Sequence, residues 1–189
     1  MALNSKGFTN ASTDKFIIDA GAVYVNTTFD EATGSFSDGE LLGATSGGNE
    51  FVIQQELRQI EIDGIKGRTK GLQLITFQNP TLTVNLKEMS AKNLARAIAG
   101  GEIDESGTKY DIITSRGVIE NDDYLNNVTL VGRLTSGENV VIVVENVLSI
   151  EGLEITTEDN NEVVIPVAFA GHYDESGKAP FKIYFPKQK

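Results

Sequence analysis

The chain has 189 residues, no cysteine, and 27 carboxylates against 16 lysines and arginines, a formal net charge of −11. That length suits one substantial core, the acidity argues against a duplex-binding footprint, and the missing thiols remove disulfides, thiolate nucleophiles and thiolate metal sites. No apolar run approaches ~18 residues and the opening "MALNSKGFTNASTDKF" lacks an uninterrupted apolar h-region, so a soluble protein made inside the cell is expected.

Strand patterns dominate, and the whole of residues 1–189 reads as a single domain. The first strand signal is "KFIIDAGAVYVN" (15–26), which ends in turn-formers. Residues 27–49, "TTFDEATGSFSDGELLGATSGGN", show no sustained period and read as a long irregular loop, either ordered on assembly or merely mobile. From Phe51 the pattern alternates. Phe51, Ile53 and Leu57 stand at odd positions and Ile60 and Ile62 at even ones, which predicts a phase flip at Arg58–Gln59. A long bent strand serving two surfaces and an ordinary β-bulge both account for it.

The segment "GIKGRTKG" (64–71) then places Lys66, Arg68 and Lys70 between glycines. It lacks the spacing of a phosphate-binding loop and is followed by a strand pattern rather than a helix, so no helix N-terminus meets an anion there. Contact with an acidic surface of another copy is the functional reading, and a solvated hairpin tip the plain one. "LQLITF" and "TLTVNLK" form the return strand, broken near Asn79–Pro80. "SAKNLARAIAGG" is the one convincing helix, about 91–99, capped by Ser90 and ended by Gly100–Gly101, with Met89 stapling onto Leu94.

Strands follow at "YDIIT", "NVTLVGRL", "NVVIVVENVLSIEGLEITT", "EVVIPVAFAG" and "FKIYF". "VVIVV" and "VVIPVAF" are apolar on both faces and predict fully buried or intersubunit strands, with Pro166 at an edge or bulge. DESG, at 104–107 and 174–177, reads as two turns. The single histidine, His172, has no nucleophile–base constellation around it in sequence and reads as a hydrogen-bonding strand-end residue. "ENDDY" (120–124) reads as a solvated acidic turn rather than a calcium loop. No catalytic residue, metal ligand or cofactor is expected.

Four stretches carry a resemblance: "IDAGAVYVN" (18–26), "LLGATSGGNEFVIQQELRQIEIDGIKGRTKG" (41–71), "TLTVNLKEMSAKNLARAI" (81–98) and "FAGHYDESGKAPFKIYF" (169–185). In this order they resemble the major tail (tail tube) proteins of long-tailed bacteriophages and related prophages of Gram-positive bacteria. The resemblance implies an antiparallel β-sandwich or partly rolled barrel with one short flanking helix. It also implies six-membered rings whose sheets join into an inner barrel, stacked into a tube through which DNA passes without specific binding. A tape-measure protein, a tail-tip or baseplate complex and a tail terminator would be partners, and the virion tail the location, after synthesis in the host bacterial cytoplasm.

On this resemblance the hairpin from 51–63 and 72–87 contributes to the inner barrel. Arg58, Lys66, Arg68 and Lys70 become intersubunit contacts, and Glu56, Glu61 and Asp63 carboxylates facing the channel. Residues 27–49 become an inter-ring loop, with Phe29, Phe36, Leu41 and Leu42 as its contact residues. Residues 180–189 form a C-terminal arm or a closing strand. The alternatives are another ring-forming tail component (terminator, baseplate or contractile-tail inner tube) and, from a different class, an immunoglobulin-like binding module.

Overall fold

The computed structural model describes residue 7 and residues 10–187. In chain order the strands are β1 Ala22–Val25, β2 Thr28–Asp30, β3 Ser35–Ser37, β4 Glu40–Leu41, β5 Thr45–Gln59 and β6 Gln73–Leu86. Helix α1, Ala91–Arg96, is followed by β7 Gly101–Asp104, β8 Ile112–Ser115, β9 Leu125–Arg133, β10 Asn139–Ser149, β11 Ile165–Gly171 and β12 Phe181–Tyr184. The protein is mainly β and antiparallel, with one short α-helix and a sandwich-like, unclosed architecture.

One sheet runs β4–β1–β9–β10–β11–β6–β5, with β12 also paired to β10. Strand β10 is the pivot. Along the edge away from β9, residues 141–144 pair with β12 and residues 147–149 with β11. Between the two stands Asn146, whose positive φ of 51° turns the strand where it changes partners. Val23, Val25, Val128, Val144, Leu82 and Phe169 meet in one core although they come from opposite ends of the strand order, so the sheet folds over on itself. Each such side chain contributes about 1.5–3 kcal/mol when removed from water. Both faces of β10 and β11 are covered, as their unbroken apolar runs predict.

Pro166 pairs with Asn85 of β6 where β10 no longer flanks β11, so the missing N–H costs no ladder bond on that side. Helix α1 begins as predicted: the Ser90 side chain accepts from the Asn93 N–H at 3.2 Å. It is shorter than 91–99. The Ile98 N–H bonds to the Ala95 carbonyl and the Gly101 N–H to that of Ile98, tightening the chain after Arg96. A Cβ on Gly101 would stand 2.3 Å from the Ala95 oxygen, so only glycine allows this close turn into β7. Met89 is exposed, whereas Leu94 packs on the core.

Two further expectations are corrected, and one left open between an arm and a closing strand is decided. Residues 27–49 are not an irregular loop, because β2 and β3 form a small hairpin, β4 pairs with β1, and β5 has already begun at Thr45. Strands of two or three residues are too short to show a period. The β2–β3 turn is built by Asp30, whose carboxylate accepts from the Ala32 N–H at 2.9 Å and the Thr33 hydroxyl at 2.7 Å. Next, β6 is continuous through Asn79–Pro80; Pro80 pairs with Ile53, one residue past the end of the β11 ladder at Thr81. Finally, residues 181–184 of the supposed C-terminal arm are the closing strand β12, and Gln188 and Lys189 lie outside the described residues. The DESG turns hold as read: Asp104 and Asp174 each accept from the N–H of the serine two residues on, at 2.9 and 2.8 Å.

Candidate functional site

The feature that the core does not account for is the outer half of the β5–β6 hairpin. Near its base, residues 81–86 of β6 lie between β5 and β11, and Leu82, Val84 and Leu86 are buried. Beyond that point the two strands continue alone. Residues 54–59 and 73–79 pair only with each other, so six residues of β5 run on past the sheet, about 20 Å at ~3.3 Å per residue. Both outer edges of this arm carry no ladder partner among the described residues. From 54 to 77 every residue is exposed except Gln59, Thr69 and Leu72, which are partly covered.

The arm is nevertheless apolar. Val52, Leu57, Ile60, Ile62, Ile65, Leu74, Ile75 and Phe77 all stand exposed along it. The register sorts the paired ones. Leu57 and Ile75 face each other on the side that carries Phe51 and Leu82 into the core; Val52, Phe77 and Leu74 share the opposite side with Glu56 and Arg58. This corrects the predicted phase flip at Arg58–Gln59. The irregularity lies between Glu56 and Leu57 and belongs to the partner strand, where Thr76 has no opposite residue. Strand β5 keeps its phase to Gln59, and Ile60 and Ile62 lie beyond its end in the connecting loop. Apolar residues occur at both parities because the arm has two apolar faces and rests on no core.

An isolated two-stranded ribbon is marginal in water, and free edges template further pairing. Half-burying eight large apolar side chains is worth about 10 kcal/mol gross. That is comparable with the estimated ~4–15 kcal/mol lost in immobilising two partners, so one arm contact is marginal and a cooperative array of them is not.

The structure brings Arg58, Lys66, Arg68 and Lys70 together with Glu56, Glu61 and Asp63 on this one arm. Every one of them is exposed and none forms an ion pair among the described residues. The tip turns through Gly64, Gly67 and Gly71, all with positive φ, and is tied by Gln59 Nε2 donating to the Gly67 carbonyl at 2.5 Å. The proposed inter-ring set does not stay together. Phe29 packs against Phe36 and Tyr184, with ring centroids 5.0 and 4.6 Å apart, and Leu41 is exposed on β4. Leu42 is 2% exposed and belongs to the core, so it is unavailable to a neighbour.

Elsewhere several polar groups are engaged within the chain, whereas Asn49 Oδ1 is buried without a hydrogen-bond partner among the described residues. His172 Nδ1 lies 3.0 Å from the Asn146 carbonyl and its ring stands edge-on to Tyr124. A cleft of about 430 Å³ between α1 and β10 is lined by Lys92, Arg96, Asp123 and Ser149. There Arg96 pairs with Glu40 at 2.7 Å, Asp123 with Arg116, and the Ser149 hydroxyl donates to the Ala97 carbonyl at 2.9 Å. No nucleophile stands beside a base in this cleft, and no group of three His, Cys, Asp or Glu among the described residues is placed to hold a metal ion. No helix among them is long and apolar enough to cross a membrane. Comparison with protein-family models and with curated proteins gives no match.

Sequence reasoning placed a strand at "YDIIT", which overlaps β8, but missed β7, its pairing with β8 and the Arg116 cluster described below. "DESGTKYD" reads as a turn alone, and nothing in the spacing of Glu102, Arg116 and Asp123 announces that they meet.

Proposed function

We propose that this chain is a structural, self-assembling virion protein of the tail-tube type, whose copies join through the β5–β6 arm into rings that stack as a conduit for DNA. One observation carries the reading: a ribbon about 20 Å long, apolar on both faces and open on both edges, has no partner among the described residues of its own chain. The four-part resemblance and the sandwich-like β architecture support it. Joining arms side by side would pair the open edges and cover one apolar face in each copy. Glu56, Glu61 and Asp63 would then give the passage a carboxylate lining that repels phosphates, in keeping with a chain at −11 overall. A tape-measure protein, tail-tip or baseplate complex and terminator are the partners this role requires, and no cofactor or bond-making chemistry is part of it.

Sedimentation velocity and negative-stain imaging over a rising concentration series test the proposal. The expected result is a shift from monomer to rings and smooth hollow tubes. Closed rings that never stack would reassign the chain to a terminator or baseplate role, and a monomer at every concentration would overturn self-assembly.

A further inference from the structure

The β7–β8 hairpin is the second projection of the molecule. It forms a two-stranded sheet separate from the main one and packs on α1. By register Ile112 shares its face of the hairpin with Asp104, Glu102 and Thr114, and Tyr110, Ile112, Val118 and Ile119, on β8 and in the segments flanking it, are all more than half exposed. The segment is held in shape from within. Arg116 reaches Glu102 at 3.1 Å and Glu120 at 3.8 Å, and it also pairs with Asp123. With those carboxylates spent on Arg116, Asp104, Glu105, Asp111 and Asp122 remain without an ion pair among the described residues, Asp104 being held in its own turn by the Ser106 N–H. Residues 101–124 carry seven carboxylates against two cations, whereas the tip, residues 60–71, carries three cations against two carboxylates, with the cations gathered in 64–71.

We infer that the exposed apolar residues on and beside β8, set among carboxylates, are the seat for the tip of the β5–β6 arm of a second copy of this chain. The inference rests on the self-assembly reading and names the surface that receives the arm. Each of the two surfaces lacks what the other offers. The tip presents Ile62 and Ile65 beside Lys66, Arg68 and Lys70, and the seat presents Ile112, Val118 and Ile119 beside unpaired acids. Exposed ion pairs alone contribute little, so the apolar contact supplies the affinity and the charges supply orientation and partner choice. Because tip and seat are different surfaces, the contact is head-to-tail. Such contacts close into rings or run on as filaments, as a ring or tube component requires. The other acidic stretch, residues 150–164, exposes Ile150 and Ile155 but has its Leu153 and Val163 packed against the core, so it offers fewer free apolar residues than the β7–β8 segment.

Charge exchange tests this. Lys66→Glu/Arg68→Glu/Lys70→Glu and Glu105→Lys/Asp111→Lys/Asp122→Lys are each expected to raise the concentration needed for assembly at least tenfold while leaving circular dichroism and thermal midpoint near wild type. Mixing the two variants one to one supplies matched tip and seat at every contact of an alternating array, and combining all six changes in one chain restores them in an array of identical copies. Recovery of assembly in the combined variant supports the seat; no recovery, or wild-type assembly of either triple variant, overturns it. Since the chain has no native cysteine, a disulfide readout is clean. Arg68→Cys with Asp111→Cys should cross-link successive copies in assembled material, and Arg68→Cys with Glu154→Cys should not. The reverse pattern in assemblies that form normally refutes the seat and leaves self-assembly standing, whereas a wild-type chain that never assembles removes both.

Discussion

Asn127 is the residue on which the β1–β9 junction turns. Its side-chain oxygen accepts from the Thr27 N–H at 3.0 Å and the Thr27 hydroxyl at 3.1 Å, while its amide donates to the Thr27 carbonyl at 2.8 Å. The Thr27 and Thr129 hydroxyls lie 2.8 Å apart in a site from which water is excluded, so removing one member strands the others. Asn127→Ala should therefore cost about 2–3 kcal/mol, read as a lower urea midpoint with unchanged slope. A second residue-scale effect concerns acid. The Glu120 N–H and then Arg116 hold the Asp123 carboxyl below its ordinary value of 3.8. A carboxylate with a depressed folded-state pKa stabilises fully above the unfolded value, and that contribution is lost as pH falls through the folded one. Denaturation midpoints should be level from pH 7 to 5 and fall below about pH 4. Asp123→Asn should lower the midpoint at pH 7 and flatten the acid limb.

Strand β6 illustrates how one element serves two purposes. Its inner half anchors the core through Leu82, Val84 and Leu86, and its outer half exposes Leu74, Ile75 and Phe77 to water. The same kind of substitution should thus have opposite consequences a few residues apart. Leu82→Ala should destabilise the monomer by about 2–5 kcal/mol, through lost transfer energy and a residual cavity. Leu57→Ser with Ile75→Ser, in contrast, should move monomer stability by no more than about 0.5 kcal/mol while abolishing assembly, as sedimentation would report. Amide exchange offers an independent view. The amides of 54–59 and 73–77 should exchange early in the monomer and become protected in assembled material, whereas those of 81–86 stay protected throughout.

At the scale of the molecule, acidity and cationic tip divide the work. On the proposed function the net charge would repel phosphate, and the tip would supply a local attraction between copies that the total charge hides. Replacing Glu56, Glu61 and Asp63 with their amides should leave assembly intact and increase retention of DNA by assembled particles at low ionic strength, measured by co-sedimentation. Retention should decline again above ~0.1 M salt as screening shortens the reach of the remaining charges.

The amino-acid sequence by itself determined the strand content, the Ser90 cap, the buried runs of β10 and β11 and the Asx turns, because these follow from side-chain period and local hydrogen bonding. It also brought the charged residues of the arm to notice, since they are near neighbours in the chain. Only the tertiary structure decided that Leu42 is core, that residues 27–49 are three short strands, and that residues 54–77 leave the sheet altogether. An apolar residue in a strand looks the same in sequence whether its face meets the molecule's own second layer or nothing. Which of these holds depends on where the opposing layer ends, and that is set by pairings between strands as distant as β6 and β11.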